Sequence, residues 1–182
     1  MAINEIQLIG QAVRRVWIWL LLFAVGIVVG VLYYQQLGSV LVPIIEEMFT
    51  GMGTNEDGEL YPPLTLAVII FGKNFVVAAI CFLSARITRG ILPGIILLYN
   101  GVIIGVLAVF MNQEGLFPYY VFVIGLLPHG IIELLALFLA CAIGMHGINA
   151  LGWRTMALPI IMLILAAAIE AWITPLVIAL FI

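Results

Sequence analysis

An all-α, polytopic membrane bundle of about five transmembrane helices is the fold this sequence predicts, and three observations predict it. Hydrophobic residues fill 66% of the 182 positions and charged residues only 8%, with a mean hydropathy of +1.33. A water-soluble domain carries about a quarter of its residues as charges, so the six basic and nine acidic side chains present here cannot coat one of this size. The apolar residues come in continuous runs, such as 17–34, near the roughly 20 residues that carry a helix across a bilayer. They do not alternate as the strands of a membrane barrel do. Helices satisfy every backbone group within one segment in lipid, so the chain reads as a single integral membrane domain, 1–182, with no soluble module.

Residues 2–15 place Ile6, Ile9 and Val13 at helical spacing and end in the Arg14–Arg15 pair, which predicts a short helix on the membrane surface. The first span is expected at 16–35, with Trp17, Trp19, Tyr33 and Tyr34 as interfacial aromatics. It is too long for a signal-peptide core and has no small-x-small cleavage site, so no cleaved leader is expected. A polar, acidic loop is expected at 36–63. Within it Ile44, Ile45, Met48 and Phe49 share a helical face, and GTNEDGELYPP reads as turns. Further spans are expected at 64–85, 91–111, 130–149 and 156–181. The apolar run 116–127 is too short to cross alone, which predicts an interfacial or re-entrant half-helix broken by Pro128.

Charge sets the orientation. With a cytoplasmic N-terminus and five spans, Arg14, Arg15, Arg86, Arg89 and Arg154 all fall inside, as the positive-inside bias demands. Glu46, Glu47, Glu56, Asp57, Glu59 and Glu114 then fall outside, together with the C-terminus. A six-span arrangement would move Arg154 to the outer side and is rejected.

The polar residues that cost most within the membrane are Lys73, Asn74, Asn100, His129, Glu133 and Glu170. A charge at the bilayer centre costs about 2.5–3.5 kcal/mol on insertion scales, so these side chains are expected to face the bundle interior and to pair. His129 and Glu133, four apart, share a helical face. Lys73 is the natural cation for Glu133 or Glu170, and at least one carboxyl is expected to be protonated or hydrogen-bonded to His129 or an asparagine. The cluster admits two readings, a pathway for a proton, ion or solute, or a polar clamp that sets helix register. Gly26/Gly30 and Gly101/Gly105 have the four-residue spacing of close helix contacts, and a homodimer is expected from them. Glu46 and Glu47, beside an apolar helical face, are the expected docking loop for a partner.

Other chemistry is poorly supported. Ser39 and Ser84 are the two serines, and neither stands in a nucleophile turn. No HExxH or phosphate-binding glycine loop occurs, and His129 with Glu133 makes an incomplete metal site. The acidic group Glu56, Asp57 and Glu59 lacks the ligand spacing of a calcium loop. Cys81 and Cys141 lie within spans and read as reduced, packed thiols. Net charge −3 argues against nucleic acid. The expectation is a non-enzyme with no cofactor and no metal in a prokaryotic cell (plasma) membrane, with lipid, a second copy and unidentified membrane or extracytoplasmic proteins as partners.

Three stretches carry a family resemblance: the Lys73–Asn74 pair, YNGVIIG with Asn100, Gly101 and Gly105, and LPHGIIELLALFLACAIGM with Pro128, His129, Gly130, Glu133 and Gly144. Over roughly residues 73–147 the chain resembles the stage II sporulation protein M family of bacterial and archaeal membrane proteins. The resemblance implies a helical membrane protein. It also implies a non-enzymatic scaffold or assembly role, since in spore formers the family member anchors peptidoglycan-degrading partners during engulfment. The alternative kept beside it is a small transporter or channel subunit using the intramembrane polar cluster.

Overall fold

A computed structural model of the protein describes residues 5–53, 61–146 and 156–181, with side chains for 17–47, 61–145 and 156–181. The described residues form six helices: α1 (Glu5–Leu32), α2 (Tyr34–Gly53), α3 (Pro63–Ile87), α4 (Ile91–Gln113), α5 (Tyr119–His146) and α6 (Ala157–Ala179). Helices α3 to α6 are each long and apolar enough to cross a membrane, and the α1–α2 pair, bent by 102° at its break, brings the candidate spans to as many as five. Leu32, Val68, Leu83, Leu165 and Leu176 are each more than half exposed on the outer surface. That is the composition lipid requires and water would penalise.

Three boundaries differ from the sequence expectation. From Glu5 onward the expected surface helix at 2–15 and the first span are one helix, because nothing between Arg15 and Val16 interrupts the i→i−4 bonding of α1. The loop at 36–63 is helical over its first two thirds as α2, which accommodates Pro43; the acidic residues Glu56, Asp57 and Glu59 lie outside the described residues. Over the described residues Tyr119–His146, the expected half-helix at 116–127 and span at 130–149 join in a single 28-residue helix, α5, that continues through Pro128. Proline removes the donor that the Ile124 carbonyl would accept. In lipid the helix nevertheless persists, because neighbouring helices and small local adjustments re-satisfy the freed backbone more readily than water could.

Small residues set how closely the helices approach. A Cβ built on Gly26 would lie 3.0 Å from the Val102 nitrogen and 3.1 Å from the Gly101 Cα; one on Gly30 would lie 2.9 Å from the Val106 nitrogen and 3.0 Å from the Gly105 Cα. Both would come closer still to the carbonyl oxygens of Leu98 and Val102. The two glycine pairs therefore meet each other, backbone on backbone, in the manner of small-xxx-small crossings. They are occupied within the chain, so a second copy would have to use another surface.

The direction of this contact decides the topology of α2. Gly26 faces Gly101 and Gly30 faces Gly105, so α1 and α4 run parallel. Had α2 crossed the membrane as a separate span, α1 and α4 would run in opposite directions. Instead α2 turns away from α1 and lays Leu41 and Ile45 against Val106 of α4.

A second seam joins α3 to α5. Ala78 and Cys81 meet Ala136, Ala140 and Cys141, with Leu163 of α6 and Leu97 of α4 closing the core. Gly144 comes so near the Phe82 backbone that its Cβ would stand 2.9 Å from the Phe82 Cα. Cys81 and Cys141 are fully buried free thiols.

Candidate functional site: an intramembrane polar cluster

Three helices bring the polar residues together. Lys73 and Asn74 come from α3, His129 and Glu133 from α5, and Glu170 from α6. His129 is buried, and its Nδ1 lies 3.0 Å from the Thr174 Oγ1 while its Nε2 lies 3.9 Å from a Glu170 carboxyl oxygen. Both ring nitrogens thus address α6, and not Glu133 one turn along its own helix, as the four-residue spacing suggested. Asn74 stands within side-chain hydrogen-bonding reach of Glu133. Lys73, exposed at the rim of the cluster, is within electrostatic reach of both Glu133 and Glu170.

Thr174 was not legible as a member of the cluster, because threonine in a span commonly bonds to its own helix. What places it is a π-helical turn at Ile169–Ile173, closed by the Thr174 N–H donating to the Ile169 carbonyl five residues back. The cause is the next residue. Pro175 has no N–H for the Ala171 carbonyl and its ring crowds that carbonyl, and widening the preceding turn relieves both. The wider turn presents Glu170 and Thr174 together to His129. A proline one residue beyond Thr174 was the available signal, and π turns recur at functional sites.

Asn100 stands apart from the network. Its side-chain nitrogen donates to the Ile96 carbonyl of its own helix at 3.0 Å. Yet it shares with Glu133 the wall of a cavity of about 200 Å³, lined otherwise by apolar residues including Phe23, Ile104, Leu134 and Leu137. Glu133 therefore has two neighbourhoods, the Asn74/Lys73/Glu170 group and this cavity.

Among the described residues no group of three or more His, Cys, Asp or Glu side chains is arranged to hold a metal ion. Chemically the cluster is a cross-link. It ties α3, α5 and α6 through directional bonds in a medium where apolar surface alone does not draw helices together. Glu46 and Glu47 lie far from it in sequence, on the exposed side of α2 opposite Leu41 and Ile45.

A family model described as Stage II sporulation protein M matches residues 19–175. No curated protein and no solved structure matches the chain. The match begins at Trp19, well upstream of the motifs that carry the resemblance, and so includes most of the α1 span and all of α2. It ends at Pro175, just past Thr174, and encloses every member of the polar cluster. The chain accordingly belongs to the stage II sporulation protein M family and is a helical membrane protein of that family.

Proposed function

We propose that the protein is a non-enzymatic membrane scaffold that organises partner proteins at the plasma membrane of a prokaryote. The observation that carries this reading is the placement of α2. It is turned 102° from α1, seated on α4 through Leu41 and Ile45, and it presents Glu46 and Glu47 on its exposed side. An amphipathic helix held across the end of a bundle is a rigid platform at the membrane surface. With the arginines inside, as the positive-inside bias requires, the platform faces the extracytoplasmic side. A non-catalytic role is supported by the serines: Ser39 donates to the Gln36 carbonyl and Ser84 to the Cys81 carbonyl, so neither hydroxyl is set up as a nucleophile.

The test is capture. A photo-crosslinker at Gln36 should trap a defined extracytoplasmic or membrane partner in native membranes. Glu46→Lys with Glu47→Lys should reduce that adduct while leaving thermal melting in lipid unchanged. Loss of folding in the double variant would show that α2 is only structural.

A second reading, a small transporter or channel subunit, rests on the cavity beside Glu133. At roughly 30 Å³ per water it has room for several. Proton or ion flux in liposomes that disappears with Glu133→Gln would favour this reading over the scaffold.

A further inference from the structure

We infer that the α3–α4 turn and the adjoining end of α1 form a binding site for one anionic phospholipid, with Arg86 and Arg89 holding its phosphate. The turn is built as a helix-ending motif with one irregular choice. The Gly90 N–H donates to the Ala85 carbonyl at 2.7 Å and the Arg89 N–H to the Arg86 carbonyl at 3.3 Å, which is the paired bonding of a Schellman C-cap. In that motif the residue before Gly90 takes the left-handed conformation, a position usually held by glycine. Here it is Arg89, with φ +53°. A side chain in that conformation crowds the following carbonyl oxygen. The positive-inside bias requires arginines in this loop but does not require one at the strained position. Backbone strain of this kind persists where the side chain is needed at that spot.

What the strain positions is a cleft. Arg86 and Arg89, both exposed, stand over a cavity of about 610 Å³ whose other walls include Trp19 and Leu22 of α1, Ile91 of α4 and Met145 of α5. The volume falls within the roughly 300–1,000 Å³ of small-molecule sites. Its floor is continuous: a Cβ on Gly90 would lie 3.4 Å from the Met145 sulfur and 3.9 Å from Trp19. Among the described residues no carboxyl group pairs with either guanidinium.

The chemistry of these walls selects the ligand. Two guanidiniums present planar donor forks that match phosphate oxygens. The apolar walls beneath them would be wasted on inorganic phosphate but suit an acyl chain. Trp19, buried and four residues after Arg15 in sequence, is one of the aromatics expected at the headgroup level. A zwitterionic headgroup brings its own ammonium against the two arginines, so the site discriminates for a net negative lipid such as phosphatidylglycerol. Basic pockets between transmembrane helices are known to take anionic headgroups.

The test compares the full chain in nanodiscs of phosphatidylcholine alone and with phosphatidylglycerol added, reading thermal melting and lipid adducts retained in native mass spectrometry. Wild type should melt higher with phosphatidylglycerol and retain it. Arg86→Gln with Arg89→Gln should lose that increment, with affinity falling roughly 25-fold at about fivefold per guanidinium. Should the double variant fold poorly, Arg89→Gly decides the matter: it should melt above wild type in phosphatidylcholine, because the strain is relieved, yet gain less from phosphatidylglycerol. Equal increments in wild type and Arg89→Gly would overturn the site. So would a rise of the same size produced by inorganic phosphate in phosphatidylcholine, which would assign the arginines to a free anion.

Discussion

Replacing Gly101 by alanine should separate α1 from α4, and the size of the effect can be worked from the contact. The added methyl carbon would stand 3.0 Å from the Ile27 nitrogen and 3.1 Å from the Gly26 Cα, and nearer still to the Phe23 carbonyl oxygen. Ordinary contact for such a carbon begins near 3.4 Å. All three neighbours are helix backbone, which cannot rotate aside as a side chain would, so the helices must part by about 1 Å. A gap of that order forfeits a quarter to a half of each atom pair's attraction; with some 30 pairs across the crossing at about 0.15 kcal/mol each, the loss is about 2 kcal/mol. That agrees with the roughly 1–3 kcal/mol seen when well-packed interiors are overfilled. For a chain of this length it corresponds to a fall in melting temperature of about 4–8 °C.

Gly72→Ala is the matched control, because nothing lies within 4 Å of a Cβ there, and it should be neutral or slightly stabilising through helix propensity. Gly26→Ala combined with Gly101→Ala should cost less than the sum of the two, since one displacement accommodates both methyls. Thermal melting in nanodiscs, followed by tryptophan emission, reads wild type, the three single variants and the double variant. If Gly101→Ala melts with Gly72→Ala, the backbone contact between α1 and α4 is wrong.

Thr174→Val deletes the hydroxyl 3.0 Å from the His129 Nδ1 at nearly constant volume; the same melting assay should show a loss of about 0.6 kcal/mol, the mean for hydrogen bonds between membrane helices, and no more than about 1.7. Lys73→Met leaves Glu133 and Glu170 without the cation that both sense, and Lys73→Met with Glu133→Gln should recover part of the lost stability, with a coupling of about 0.5–3 kcal/mol. Additive effects would remove Lys73 from the network. In a background with Cys81 and Cys141 replaced by alanine, a membrane-impermeant thiol reagent should label Gln113→Cys in intact cells and leave Ile87→Cys unmodified until the cells are opened; the reverse pattern would invert the orientation.

Much of this was readable in the residues because membrane folds are constrained so strongly. Lipid demands long apolar helices, and the spans α3, α4 and α6 stand close to where hydropathy placed them. Four-residue glycine spacing marked Gly26, Gly30, Gly101 and Gly105 as contact positions. It could not say that the pairs meet each other, since any two such faces are compatible. The costly residues Lys73, Asn74, His129, Glu133 and Glu170 stood out by the same logic, polar groups in a medium that penalises them.

What hydropathy could not resolve were the breaks. Pro128 and Pro175 carry the same local instruction, removal of one donor and a clash with one carbonyl. In α5 the helix continues through Pro128, whereas in α6 the turn before Pro175 widens and swings Glu170 and Thr174 onto His129. The same residue type has two outcomes, so the local sequence does not decide the response. The sequence alone therefore determined the medium, the number of spans and the list of polar residues, because each follows from the cost of a group in lipid. Their pairing, the parallel α1–α4 crossing and the right-angled seat of α2 were decided only in the tertiary structure, because they depend on which backbones come within a few ångströms of each other.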